Sequence, residues 1–237
     1  MNEAVQIFSE GQRMDGVLCL PASVPPPYPT VIMLPGMTGT NKKYIPLAER
    51  LAEKGIAALA VNLRAHGTSE GSMETLTPAG GHADALAVFD FVAARDDIDR
   101  TRIGMCGSSY GGMLTALISD ERAFRSMLLR APAAYTERML QTTYEDLMAD
   151  ESGMFFRIDD LDACPAMQSI RQFRGPLLVV TSEKDVIIPM RVFEKYVSAA
   201  GGTRKELKVI EGAPHPLSGP FLDRFATMME QWFIETL

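Results

Sequence analysis

Six short runs in this sequence are apolar at consecutive rather than alternate positions: TVIMLPG (30–36), GIAALAVN (55–62), RIGMCG (102–107), SMLLRAP (126–132), PLLVVTS (176–182) and LKVIEG (207–212). A strand built this way meets water on neither face, which is the signature of a parallel sheet covered on both sides. Between the runs lie segments with helical spacing. NKKYIPLAERLAEKG (41–55) has an N-cap expected at Asn41 and a terminating Gly55. HADALAVFDFVAAR (82–95) sets Ala85, Val88, Phe89 and Val92 on one stripe. YGGMLTALISDERAF (110–124) and PFLDRFATMMEQWFIETL (220–237) complete the set. Strands alternating with helices imply an α/β fold, a mostly parallel sheet flanked by helices.

The beginning reads differently. AVQIFS (4–9) and DGVLCLP (15–21), separated by EGQRM, form a hairpin that adds antiparallel strands at one edge. The pattern then implies about eight strands in all. PASVPPPYP (21–29) is a stiff surface connection, too short to link domains. The expectation is a single domain over residues 1–237. One segment, 134–172, is long for a simple crossover. It is rich in Asp and Glu, and it reads either as a solvated crossover with a surface loop or as a small acidic cap over a pocket.

Composition narrows the partners. A formal charge of −7, with no Lys/Arg cluster, argues against nucleic acid or an anionic membrane. No apolar stretch approaches the ~18 residues needed to span a bilayer, and no basic segment followed by an apolar run suggests a leader. Three widely spaced cysteines, Cys19, Cys106 and Cys164, form no metal-ligand pattern. The expected setting is soluble, reducing and cytoplasmic, with no cofactor and no metal.

The chemistry concentrates at IGMCGSSYGGML (103–114). Centred on Ser109, it reads Gly107-Ser108-Ser109-Tyr110-Gly111, a G-x-S-x-G between a strand and a helix. Centred on Ser108, the flanking positions are Cys106 and Tyr110 and the pattern fails. A serine at so sharp a turn takes a strained backbone that lifts its hydroxyl clear, and glycines two residues away on each side let strand and helix pass.

A serine hydroxyl needs a base to take its proton, and the chain has three histidines. His66 and His215 follow buried strands, where catalytic groups of a parallel sheet gather; His82 opens a helix. The base in turn needs a carboxylate to orient it. Asp185, in SEKDVIIP, leaves the strand before the one that leads to His215.

GSSYGG, SEKDVIIP and EGAPHPL together resemble the nucleophile turn, acid loop and histidine loop of the α/β-hydrolases. The resemblance covers nearly the whole chain. MLPGMTGT resembles the oxyanion loop of that superfamily, and NLRAHGTSEG its D-x-R-G-H-G-x-S loop, with Asn62 and Ala65 in place of Asp and Gly. The resemblance implies Ser109 as nucleophile, His215 as base and Asp185 as acid, with an oxyanion hole from the backbone N–H groups of Met37 and Tyr110. His66 then organises a loop, Cys106 is a buried inert thiol, and Met37 and Met154 are pocket candidates. Lys42 and Lys43 start a solvated helix, from which they could reach an anionic substrate.

The reaction these parts suit is hydrolysis of a small-molecule carboxylic ester through an acyl-enzyme, as in the small-lid feruloyl or acylglycerol esterases. Thioester cleavage uses the same parts. The tyrosine after the serine also resembles the dienelactone-hydrolase and prolyl-oligopeptidase branches, which makes a peptidase the alternative. A binding module without catalysis is the reading from another class.

Overall fold

The computed structural model describes residues 1–149 and 158–237. Eight strands form one sheet in the order β1-β2-β4-β3-β5-β6-β7-β8. They are β1 (Asn2–Ser9), β2 (Gln12–Cys19), β3 (Tyr28–Leu34), β4 (Ala57–Val61), β5 (Ile98–Ser108), β6 (Ser126–Arg130), β7 (Leu177–Lys184) and β8 (Lys205–Pro214). The hairpin β1–β2 pairs antiparallel with full register from Asn2↔Cys19 to Ser9↔Gln12, and β2 joins β4 antiparallel. Every other neighbour pair is parallel. This is the mostly parallel, helix-flanked sheet that the runs of consecutive apolar residues imply, in the arrangement that the resemblance to the α/β-hydrolases leads one to expect.

The helices that cover the sheet are α1 (Ile45–Glu53), α2 (Pro78–Ala93), α3 (Tyr110–Leu117), α4 (Glu137–Leu140), α5 (Tyr144–Ala149), α6 (Pro165–Ser169), α7 (Met190–Ala199) and α8 (Gly219–Thr236). Because side chains alternate along a strand, successive residues feed opposite faces. Ile32, Leu34, Met105, Met127 and Leu129 join a core with α2, α3, α6 and α7. Val31, Met33, Cys106, Leu128 and Val180 join a second core with α1 and α8.

Two helix starts differ from expectation. Asn41 does not cap α1. It opens a 3-10 turn, Asn41–Lys43, and its backbone N–H donates to the Asn62 side chain at 2.7 Å, so α1 begins later with Pro46 in its first turn. Helix α2 begins at Pro78 because the Thr77 hydroxyl accepts from the Gly80 N–H, which places His82 within its first turns. Gly55 ends the α1 segment with φ +84, where glycine carries no steric cost.

Between β6 and β7 lie the short helices α4, α5 and α6; α4 packs on α2, and α6 on α3 and α7. Residues 150–157 of this segment, which include Asp150, Glu151, Arg157 and the pocket candidate Met154, lie outside the described residues. The described acidic ones, Glu137, Glu145, Asp146, Asp159, Asp160 and Asp162, are exposed to solvent. Asp162 pairs with Arg171 and with Lys195 of α7, and Arg191 donates to the Ile158 carbonyl at 2.8 Å, so the segment is tied to α7.

Candidate active site

The turn from β5 to α3 carries the strain that its sequence demands. Ser109 has φ 51 and ψ −110, a backbone that L-residues rarely adopt. Such a residue costs of order 1–3 kcal/mol and persists only where its surroundings hold it. Three hydrogen bonds do so: Ser109 N–H to the Arg130 carbonyl at 2.8 Å, and the N–H groups of Met113 and Ala133 to the Ser109 carbonyl at 3.1 and 3.0 Å. The flanking glycines are sterically required. A Cβ on Gly107 would lie 2.2 Å from the Gly111 carbonyl oxygen, and one on Gly111 would lie 2.3 Å from that of Leu34.

Asp185 and His215 arrive from the loops after β7 and β8. The Ser109 Oγ lies 3.2 Å from His215 Nε2, and His215 Nδ1 lies 2.7 Å from Asp185 Oδ2. Burial works to raise the Asp185 pKa, but the His215 ring and the N–H groups of Ile188 and Ile187 outweigh it, and the carboxyl sits below its ordinary value. Both amides donate to Asp185 Oδ1 at 3.0 Å, leaving Oδ2 for the ring. Glu183 is engaged elsewhere, accepting from the Gly212 N–H at 2.7 Å.

The loop after β3 lies against the elbow: a Cβ on Gly36 would be 3.4 Å from the Ser108 carbonyl oxygen and 3.5 Å from Ser109 Cβ. Met37 follows, half-buried. His66, on the loop after β4, is buried and bridges to this segment. Its Nδ1 lies 2.7 Å from the Arg64 carbonyl, and its Nε2 accepts from the Thr38 N–H at 3.1 Å. A carbonyl beside Nδ1 and an N–H beside Nε2 define a neutral ring protonated at Nδ1, and burial lowers its pKa in keeping. Arg64 anchors that loop through Asp84 of α2, which is fully buried, at 2.7 and 2.9 Å. Asn62, standing where Asp is usual, spends its side chain on the Asn41 N–H.

Other expectations find their places. Tyr110 opens α3, and its buried ring lies edge-on to Tyr135. His82 is on the surface, bonded to Glu121 at 2.6 Å. Cys106 is buried, and its thiol is pushed up to about 12 by that burial. Among the described residues no group of three His, Cys, Asp or Glu side chains is placed to hold a metal ion, and no described helix is long and apolar enough to cross a membrane.

A cavity of about 440 Å³ opens beside Ser109 and His215. Its walls include Met37, Lys43, Tyr44, Arg130, Tyr135 and Phe225. Sequence reasoning missed Arg130 and Tyr44. Arg130 had a visible signal, a cation inside the otherwise apolar run SMLLRAP. Tyr44 had none, because a tyrosine ahead of a helix is unremarkable until its hydroxyl is found facing Ser108 and the Gly36 backbone.

The prolyl oligopeptidase family model matches residues 46–233. The chain is 26% identical over 187 residues to the uncharacterized protein Rv2307c of Mycobacterium tuberculosis, a match covering 79% of this chain and 63% of that protein's length. It is 26% identical over 164 residues to esterase FrsA of Yersinia enterocolitica, covering 65% of this chain and 39% of that one. Among solved structures, Est1E from Butyrivibrio proteoclasticus with ferulic acid bound superposes with a TM-score of 0.77 at 20% identity, over 98% of each chain. By the extent of the family match, this α/β-hydrolase-fold chain belongs to the prolyl oligopeptidase family.

Proposed function

We propose that the chain hydrolyses carboxylic esters through an acyl-enzyme on Ser109, with His215 as base and Asp185 as its orienting acid. The observation that carries this is the continuous hydrogen-bonded line from Asp185 Oδ2 through His215 to Ser109 Oγ, ending at a strained elbow. His215 takes the hydroxyl proton as Oγ attacks the ester carbonyl, and the tetrahedral oxyanion forms. The backbone N–H groups of Met37 and Tyr110 stabilise that charge, the largest expected contribution to rate. His215 then gives its proton to the leaving alcohol. Water repeats the sequence on the acyl-enzyme, and Asp185 holds the imidazolium throughout. The segment 134–172 walls the cavity through Tyr135, Tyr144 and Met148.

Family membership supports hydrolysis by this fold and keeps a peptidase or aminoacyl hydrolase as the second reading; the esterase relative and the overlay with Est1E favour esters. Labelling by a fluorophosphonate, with turnover of a p-nitrophenyl ester, tests the proposal. The wild-type protein is expected to be tagged at Ser109 and Ser109→Ala to be neither tagged nor active; folded wild-type protein that resists the label refutes it. An aminoacyl p-nitroanilide cleaved faster than the ester selects the second reading.

A further inference from the structure

The chain carries a net charge of −7, yet the cavity beside Ser109 is cationic. Its described walls contain Lys43 and Arg130 and no Asp or Glu. The described acidic residues of the segment after β6 face solvent instead.

Arg130 is the unusual member. It ends β6 directly beside Ser108 in the sheet register and is only 3% exposed. Its Nη2 donates to Ser182 Oγ at 2.7 Å and to the His215 carbonyl at 2.6 Å, both neutral acceptors. Its Nε is enclosed and has no hydrogen-bond partner. No ion pair is found for it among the described residues. Burial draws its pKa down to about 10, partly opposed by the Asp185 charge, so the guanidinium stays protonated at neutral pH. Asp185 is already committed to His215 and two amides. A buried cation without a counter-anion is costly, and a ligand that supplies one recovers that cost.

Lys43 stands exposed at the rim with no ion pair among the described residues. The pKa of its ammonium is lowered, first by partial desolvation against the cavity wall and then by repulsion from Arg130. Two cations that repel each other across a cavity favour an anion between them. The remaining walls are largely apolar, with Met37, Leu47, Leu217, Leu222 and Phe225. That lining favours a singly charged planar carboxylate over a doubly charged phosphate, whose desolvation costs more, and a carboxylate matches the guanidinium edge.

We infer that this site prefers esters bearing a second, free carboxylate, which Lys43 and Arg130 receive while Ser109 attacks the ester carbonyl. The inference rests on the ester-hydrolase reading of Ser109 and names its substrate class. The same field disfavours a substrate that presents an ammonium group there.

Two substrate pairs test it, one for each side of the ester bond: mono-p-nitrophenyl adipate against p-nitrophenyl hexanoate, and p-carboxyphenyl hexanoate against phenyl hexanoate. The charged member of at least one pair is expected to show a kcat/KM about tenfold higher, the size of one partly solvated charge contact. Lys43→Glu is expected to bring that ratio to one or below. Arg130→Lys should lower it without removing the charge, and the Lys43 variant keeps the test decisive if Arg130 variants fail to fold. Ratios at or below one in both pairs, or a ratio that Lys43→Glu leaves unmoved, overturn the inference while esterase activity stands. If no ester is turned over and no fluorophosphonate label appears, the ester-hydrolase reading fails instead. Calorimetric titration with monomethyl adipate then decides the anion site by itself: binding weakened by Lys43→Glu upholds it, and no binding overturns it.

Discussion

The backbone N–H of Thr38 donates to Nε2 of His66 over 3.1 Å, tying the loop after β3 to the loop after β4. Thr38 follows Met37, the proposed oxyanion donor, and has φ 62, a conformation that needs outside support. His66→Ala removes that support. Turnover is expected to fall by roughly 10²-fold, the scale of a displacement of about 1 Å at a reacting centre. The KM should change far less. Steady-state kinetics on a p-nitrophenyl ester, beside a melting curve showing a folded variant, checks this; a loss confined to KM contradicts it.

Acid should destabilise the protein in two steps. His66 is lowered by burial, so below about pH 6.5 the unfolded chain binds a proton that the folded chain resists. Its contribution is complete above that pH and is lost as pH falls through the folded value. Asp185 is also lowered in the fold, so its contribution holds above about pH 4 and is lost below it. Melting temperatures across this range are expected to fall first below about pH 6.5, and His66→Ala should remove that first step only. A wild-type melting temperature flat down to about pH 5 excludes the His66 assignment.

Asp185→Asn is expected to lower kcat by about 10³–10⁴ through loss of the ring tautomer and of imidazolium stabilisation. Glu183 should not substitute, since its carboxylate serves the Gly212 amide. Kinetics of Asp185→Asn with and without Glu183→Gln measure this; a mild loss in the single variant that becomes large in the double assigns the acid to Glu183.

Gly111→Ala places a methyl group 2.3 Å from the Leu34 carbonyl oxygen, a backbone atom that cannot swing aside. The expected cost is about 3 kcal/mol, or a melting temperature lower by roughly 6–12 °C for a domain of this size. Gly11→Ala is the control, since no atom lies within 4 Å of its would-be Cβ, although its φ of +80 carries its own small strain. Equal losses in the two variants would remove the steric account of the elbow.

Strands β3 to β7 were readable because burial on both faces leaves a run of consecutive apolar residues that few other structures produce; β1 and β2 were legible as a hairpin instead, and β8, at the sheet edge, departs from the expectation in being largely open to water. Ser109 was readable for a related reason: the glycines around it answer a collision that is local in sequence. Asn41 was misread because a capping side chain and an amide donor to a distant Asn62 look alike in text. Arg130 stood out as a cation in an apolar run, but its place in the site was not legible since its partners, Ser182 and His215, lie more than fifty residues away. Whether the acids of residues 134–172 face a cavity or water depends on how short helices turn, which no local periodicity records.

Ser109 enters the site from the side of the sheet packed by α3, while His215 precedes α8 on the other side. The 3.2 Å between them therefore measures the alignment of two separately packed cores across one sheet. Slippage of either helical layer lengthens that gap before any strand separates. Heat or pressure should thus silence the chemistry while the secondary structure is still whole, and catalysis becomes an internal caliper of how firmly the two halves of the interior are pressed together.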